Sequence, residues 1–346
     1  MTKTNTHLPI ISLACVNPEC ELYGQKGQDN LKIRKVYGQD HIKYLQCRLC
    51  RQEFSERKGT ALWNSKIPEE KAIAVAEHLS ERCSFKSTAR LVRVDLATVR
   101  RLNRRLGNHA EAYHDQKVQN VSIQTLAADE RHGFAGAKNR PAWEAEVIDP
   151  KSKFVLSHVQ GRRDEKLFRR LLTDARSRLT NPHHVALFTD GESAYRTLFA
   201  EMFGVPYQPS RRGQRGRWPQ IQFRIPRTAA HVQVVKHRSG KRLQSVEIRT
   251  VHGSEKRIEQ ALTELGHRVP NTSAIERYNG TARSMRATQV RRTLSFARRE
   301  DTKLALGWWT TIVYNWVRPH ESLKRLLSKA QGKKSTNNGP QPWPLG

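Results

Sequence analysis

Apolar residues recur along the chain in two rhythms, and the change of rhythm divides it. Within residues 66–107 they return every third or fourth position, the period of a helix. Pro68-Glu69-Glu70 opens the first helix with the proline and acids that suit a first turn, and Ile73, Ala76 and Leu79 mark one face. A break near Cys83 and Ser84 leads to the short segment Thr88-Ala89-Arg90-Leu91. A turn at Arg93 and Val94 precedes a basic helix for which Asp95 is a good N-cap. From Val121 the rhythm becomes alternation. Residues 121–128 predict a strand ending at Asp129, and residues 142–148 set Trp143, Ala145 and Val147 against Glu144 and Glu146. A turn at 149–153 returns the chain as a partner strand over 154–159. A helix over 164–179, a strand over 184–189 ending at Asp190, and a helix over 193–203 follow. Leu304, Trp308, Trp309, Ile312, Val313 and Trp316 recur as a helical face suited to core packing.

This order predicts an α/β fold: an RNase H-like mixed-sheet catalytic domain over residues 121–328, preceded by two small modules. Residues 1–60 hold a cysteine-rich ribbon, 66–107 a helix-turn-helix, and 108–120, polar throughout, a linker. A basic insertion occupies about 205–255, and 329–346, rich in Gly, Pro and Asn, reads as a flexible tail. With 346 residues there is ample length for a core, and no apolar run approaches a membrane span. The N-terminal sequence lacks the shape of a signal peptide, so the expected location is cytoplasmic, with the nucleoid.

Charge adds a partner. Sixty-two Lys and Arg against 32 Asp and Glu leave a formal net of +30, an excess that calls for a polyanion, and nucleic acid is the usual one. In the basic helix Thr98, Arg101 and Arg105 are the expected base-reading face, with Arg100 and Arg104 nearer phosphates. Between Pro209 and Arg249 stand eleven Lys and Arg against one acid, Glu247. There Arg211, Arg212, Arg215 and Arg217 form a loop that could track a DNA backbone. Arg283 and Arg286 open a second acid-free tract that helical spacing carries toward the active site.

Cysteine spacing adds a metal. Cys15 and Cys20, then Cys47 and Cys50, are two tight pairs set apart by an intervening stretch, a pattern that suits structural Zn²⁺ on two loops of a ribbon. Chance pairs or a redox site are the alternatives, and Cys83 reads as a buried helical thiol.

Among the acids, placement matters more than number. Asp129 and Asp190 each follow an apolar strand, where side chains point into a shared crevice. Glu276 opens a later helical segment, Ile275-Glu276-Arg277-Tyr278-Asn279. Three converging carboxylates repel unless cations neutralise them. A pair of Mg²⁺ (or Mn²⁺) ions roughly 3.5–4 Å apart would bridge the attacking and leaving oxygens of a phosphodiester.

Asp129-Glu130-Arg131-His132-Gly133-Phe134, Thr189-Asp190-Gly191, and Ile275-Glu276-Arg277-Tyr278-Asn279 with Arg283, followed by Arg292-Thr293-Leu294-Ser295-Phe296, resemble the DDE transposases of bacterial insertion sequences. The insertion-sequence-one family, with zinc ribbon, helix-turn-helix and catalytic core in one chain, is the best fit. The resemblance spans most of residues 15–320 and is specific as a set. It implies an RNase H-like fold, divalent metal, terminal-inverted-repeat DNA as substrate, and 3′-end cleavage followed by strand transfer. Joining two ends implies a homodimer or higher oligomer on DNA. Two other readings stand beside it: a non-catalytic zinc-ribbon and helix-turn-helix DNA-binding regulator, and an RNase H-type nuclease that hydrolyses without joining.

Overall fold

The computed structural model describes residues 9–210, 218–240, 242–320, 323, 325–326 and 336–337. Arg211, Arg212, Arg215 and Arg217 lie outside the described residues, as does most of the expected tail.

Three antiparallel strands, β1 (Leu31–Tyr37), β2 (Ile42–Cys47) and β3 (Glu53–Ser55), form the N-terminal sheet. Its interior is small: Leu31, Leu45 and Phe54 with three of the cysteines. Arg57 ties this sheet to the next unit, donating to Asp40 at 2.7 Å and to Glu69 at 2.8 Å. Helices α1 (Glu69–Ser80), α2 (Phe85–Val92) and α3 (Leu96–Lys117) follow. Ser84 caps α2 by accepting from the Ser87 N–H, and Arg93 in the left-handed region (φ 56°) makes the turn into α3. Asp95 stands at the N-cap of α3, yet its side chain makes no capping bond. The buried face of α1 is Ala72, Val75, Ala76 and Leu79, whereas Ile73 is exposed. Cys83 is half-buried between α1 and α2 rather than within a helix.

The expected linker is helical. α3 runs unbroken to Lys117, and its Asn103, Gly107, Ala110 and His114 are buried. Gly107 is the reason two helices can meet there. A Cβ on it would stand 2.3 Å from the Cα of Ala305 in α8 (Glu300–Ile312), so only glycine permits that approach. Trp309 of α8 also donates to the Ala76 carbonyl of α1 at 3.1 Å. The three-helix unit is therefore packed onto the rest of the chain. Polarity on the outer face of a half-buried helix had the look of a connector.

The central sheet has six strands: β4 (Thr125–Arg131), β5 (Trp143–Ile148), β6 (Val155–Gly161), β7 (Ala186–Thr189), β10 (Ala230–Ser239) and β11 (Arg242–His252), in the order β11-β10-β7-β4-β5-β6. β4, β5 and β6 are an antiparallel meander; β7 lies parallel to β4, and β10 parallel to β7. That order agrees with the RNase H-like core expected from the sequence. A two-stranded ribbon, β8 (Val205–Tyr207) with β9 (Gln222–Arg224), stands apart. One face of the sheet is covered by α4 (Glu165–Arg178) and α5 (Ser193–Phe203), through Leu167, Phe168, Leu171, Leu198 and Phe199. The other is covered by α6 (Glu255–Leu265) and α7 (Ser273–Met285), through Ile258, Ala261, Ile275 and Tyr278.

Two expectations change at this level. The basic segment 205–255 is only partly an insertion, because Ala230–Val234 of β10 are buried and Ala230–Gln233 pair with β7 in the heart of the sheet. The alternation of Glu144 and Glu146 with apolar residues does not mark a solvent face: both are wholly buried, since β5 is covered on both sides.

Candidate active site at the ends of adjacent parallel strands

Register places the first two acids side by side. Ala127 is level with Phe188, so two residues further along, Asp129 of β4 is level with Asp190, which follows β7. Neighbouring strands run about 4.8 Å apart. Alternation sets the directions: Ala127 and Phe188 point toward α6 and α7, and so by parity do Asp129 and Asp190. Glu130 takes the opposite parity, toward α4 and α5, where the Tyr195 hydroxyl donates to it at 3.3 Å. Even so, one carboxylate oxygen from each of Asp129, Glu130 and Asp190 falls within 4.8 Å of the others.

The cluster carries too much negative charge for the protein alone. Burial first, then Glu130 and Asp190, push the Asp129 carboxyl up to about 7. Burial likewise raises Asp190, against the Glu192 backbone N–H, which donates to it at 3.1 Å, and against Arg163. Burial raises Glu130 as well, although Arg163 bonds it at 2.6 Å and also reaches Glu192 at 2.5 Å. Raised carboxyls in a tight group would be relieved by a cation bound among them. The donor set, hard carboxylate oxygens partly open to solvent, fits Mg²⁺ or Mn²⁺.

Glu276 lies nearby but is held differently. It sits in the first turn of α7, and Asn279, three residues on, donates to Asp129 Oδ2 at 2.6 Å. Glu276 is thus on the face of α7 that meets the cluster, and its charge contributes to raising Asp190. Its carboxylate, however, accepts from Thr272 Oγ1 at 2.5 Å and pairs with Lys236 of β10. Burial alone would raise it, but Lys236, Thr272 and Arg238 outweigh burial and hold it below its usual range. In the tight group Glu130 stands where sequence placed Glu276, and the adjacency of Glu130 to Asp129 was the available signal.

Beneath the cluster is a buried ion network that sequence reading missed. Arg131 is level with Glu144 across the β4–β5 pair, and Asp129 with Glu146, so these four share one face. Arg131 donates to Glu144 at 2.9 Å, to Glu146 at 2.5 Å and to Asn279 Oδ1 at 2.7 Å. Glu144 also takes Arg286, Lys303 and Gln289, while His158 bonds Glu146 at 2.8 Å. Arg286, of the acid-free tract expected toward the active site, is sealed in this network with 1% exposure. Arg283 remains half-buried on α7 without a hydrogen bond among the described residues, in the field of Asp129.

The other predicted residues lie elsewhere. Thr98 is half-buried and accepts from the exposed Arg101 at 3.2 Å. Arg104 is exposed and pairs with Asp301 at 3.5 Å. Arg105 donates to the Trp63 and Asn64 carbonyls at 2.7 and 3.3 Å. Cys15, Cys20, Cys47 and Cys50 converge, with sulfurs 3.6 Å apart between Cys15 and Cys50 and 4.0 Å between Cys20 and Cys47. A tetrahedron with Zn–S bonds of about 2.3 Å has edges of about 3.8 Å, so the spacing fits zinc, and a disulfide would be far shorter. Burial pushes the Cys15 thiol up to about 12, while the Gln52 backbone N–H draws Cys50 down to about 6. Sharing of charge among four sulfurs in this way is what a cation would resolve.

The class defined so far is a mixed-sheet α/β protein with an acidic cluster at the ends of two adjacent parallel strands. No family model and no curated protein matches the chain. Among solved structures it is similar to the piggyBac transposase in a synaptic complex with hairpin DNA, at 11% identity over 71% of this chain, with a TM-score of 0.38. It is also similar to the Mos1 strand transfer complex, at 10% identity over 72% of this chain and 79% of that one, with a TM-score of 0.18. The chain spans 63% of the length of the piggyBac chain. Likenesses this slight carry neither fold nor function.

Proposed function

We propose that the chain is a metal-dependent DNA transposase that binds the terminal inverted repeats of a mobile element, cleaves at its ends and joins them to target DNA. The observation that carries this reading is the level placement of Asp129 on β4 and Asp190 just after β7, with both carboxyls raised first by burial and then by neighbouring carboxylates. Asp129, Asp190 and Glu276 would hold one or two Mg²⁺ or Mn²⁺ ions, with Glu130 alongside. Bound there, the metal supplies activation of a water or 3′-hydroxyl and neutralises charge on the phosphate. Asn279 fixes the Asp129 carboxylate from one side while the Glu130 backbone N–H fixes it at 2.8 Å from the other. Arg283 would meet the phosphate backbone.

The resemblance to insertion-sequence-one transposases gives the remaining parts. The cysteine-rich sheet would be a structural zinc ribbon, α2 and α3 a helix-turn-helix reading DNA through Thr98 and Arg101 with Arg104 near a phosphate, and the working form a homodimer or larger. The test is strand transfer with labelled element-end DNA and Mg²⁺ or Mn²⁺. Asp190→Ala should lower joined product by at least about a thousandfold and leave end binding within about twofold. Cleaved ends without joined product would point to a nuclease, and activity retained in Asp190→Ala would remove the assignment.

A further inference from the structure

We infer that Lys236 is a positioning residue for the third carboxylate: its ammonium holds Glu276 apart from Asp129 and Asp190 and passes to a DNA phosphate when metal and DNA bind. This rests on the reading of the cluster as a divalent-metal site.

The sheet itself puts Lys236 there. Gln233 of β10 is level with Thr189, so Val234 is level with Asp190, and Asp129, Asp190 and Val234 form one row across three parallel strands. Val232 belongs to the core facing α6 and α7; Val234 and Lys236 follow it at every second position on that face. Lys236 is thus the next side chain beyond the row on the side that α7 covers, and it pairs with Glu276 there. Thr272, the residue before α7, bonds the same carboxylate oxygen. Two donors on one oxygen pin the carboxylate in this orientation.

The charges around the cluster are divided unevenly. Asp129, Glu130 and Asp190 crowd together, while the single carboxylate on α7 has a cation of its own from β10. An ammonium in a partly open setting, 27% exposed, neutralises Glu276 as a metal ion would. Once Glu276 turns to a metal, Lys236 needs another anion. The acid on the same hairpin, Glu247, is taken by Arg249 at 2.6 Å and by His237 at 2.9 Å. A backbone phosphate of the DNA that the cluster acts on is the remaining partner, and a lysine ammonium suits it as a point charge.

The test is a calorimetric Mn²⁺ titration of the full chain without DNA. Lys236→Met should tighten Mn²⁺ binding roughly two- to fivefold, the range set by a partly exposed ion pair. Lys236→Arg should restore the original affinity, and Glu276→Gln with Lys236→Met should gain nothing over Glu276→Gln alone. Unchanged or weaker Mn²⁺ binding in a folded Lys236→Met chain overturns the inference. With a mixed-sequence duplex and Mn²⁺ present, Lys236→Met should lower the slope of log affinity against log salt by about one; an unchanged slope overturns the transfer to phosphate. Asp190→Ala separates the two levels. If it leaves Mn²⁺ binding intact, the metal-site reading itself fails, whereas loss of binding in Asp190→Ala with no change in Lys236→Met sinks this inference alone.

Discussion

Asp129 owes its setting to a residue that is not an acid. Asn279 donates to it and accepts from Arg131, so one amide links the cluster to a network in which Arg131, Glu144 and Glu146 have no exposed side-chain surface. Asn279→Ala leaves both partners short of a bond, at about 1–3 kcal/mol for each buried group. Strand transfer and Mn²⁺ affinity should fall together in that variant while DNA binding persists; wild-type Mn²⁺ affinity would show that Asn279 positions nothing. A second residue reports on acid sensitivity. His114 on α3 is enclosed by Phe154, Trp308 and Trp316, its Nε2 bonds the Leu156 carbonyl, and its Nδ1 has no hydrogen-bond partner among the described residues. Burial first, then Arg178, draw its pKa from 6.5 down to about 4. A depressed folded value means stability is complete above the unfolded pKa and is lost as pH falls from about 6.5 toward about 4. The loss should be about 2 kcal/mol at pH 5. Urea unfolding at pH 7 and pH 5 measures it, and His114→Phe should remove that part of the difference; the same acid loss in both proteins would refute the assignment.

Elements divide into those whose local pattern decides them and those that tertiary contacts decide. α4, β7 and α5 follow directly from their apolar spacing and caps, as Asp164 shows by accepting from the Leu167 N–H. Two of the acids were legible in the sequence for the same reason, since a short apolar strand announces its own end. β4 in fact runs past Asp129 to Arg131, because β5 pairs with it that far. What local pattern could not carry is long-range. The C-terminal half of α3 is polar on one side yet packed against α8 on the other, and β10 hides a core strand inside a basic segment. The inward turn of Glu144 depended on Arg286 and Lys303, more than a hundred residues away, while Glu146 is met by Arg131 and His158 from the neighbouring strands. The cysteine sheet makes its own prediction. Its core is too small to stand alone, so metal binding and folding should be one event there. A strong chelator should abolish hydrogen-exchange protection of β1–β3 and leave that of β4–β7 in place; protection unchanged in a zinc-free protein would contradict the zinc assignment.

At the scale of the whole molecule, the acidic cluster sits inside a chain with a formal charge of +30. A positive surface of this size favours a polyanion, while the few carboxylates at the ends of β4 and β7 concentrate the opposite sign where the proposed cation would bind. Everything proposed about chemistry depends on that cation binding there. Diffraction from crystals soaked in Mn²⁺, with the anomalous signal of the metal mapped, tests it most directly. A peak shared by the Asp129 and Asp190 carboxylates, at about 2.0–2.2 Å from an oxygen of each, is the predicted result. An empty cluster at saturating Mn²⁺, or ions found only at scattered surface acids, would contradict the account.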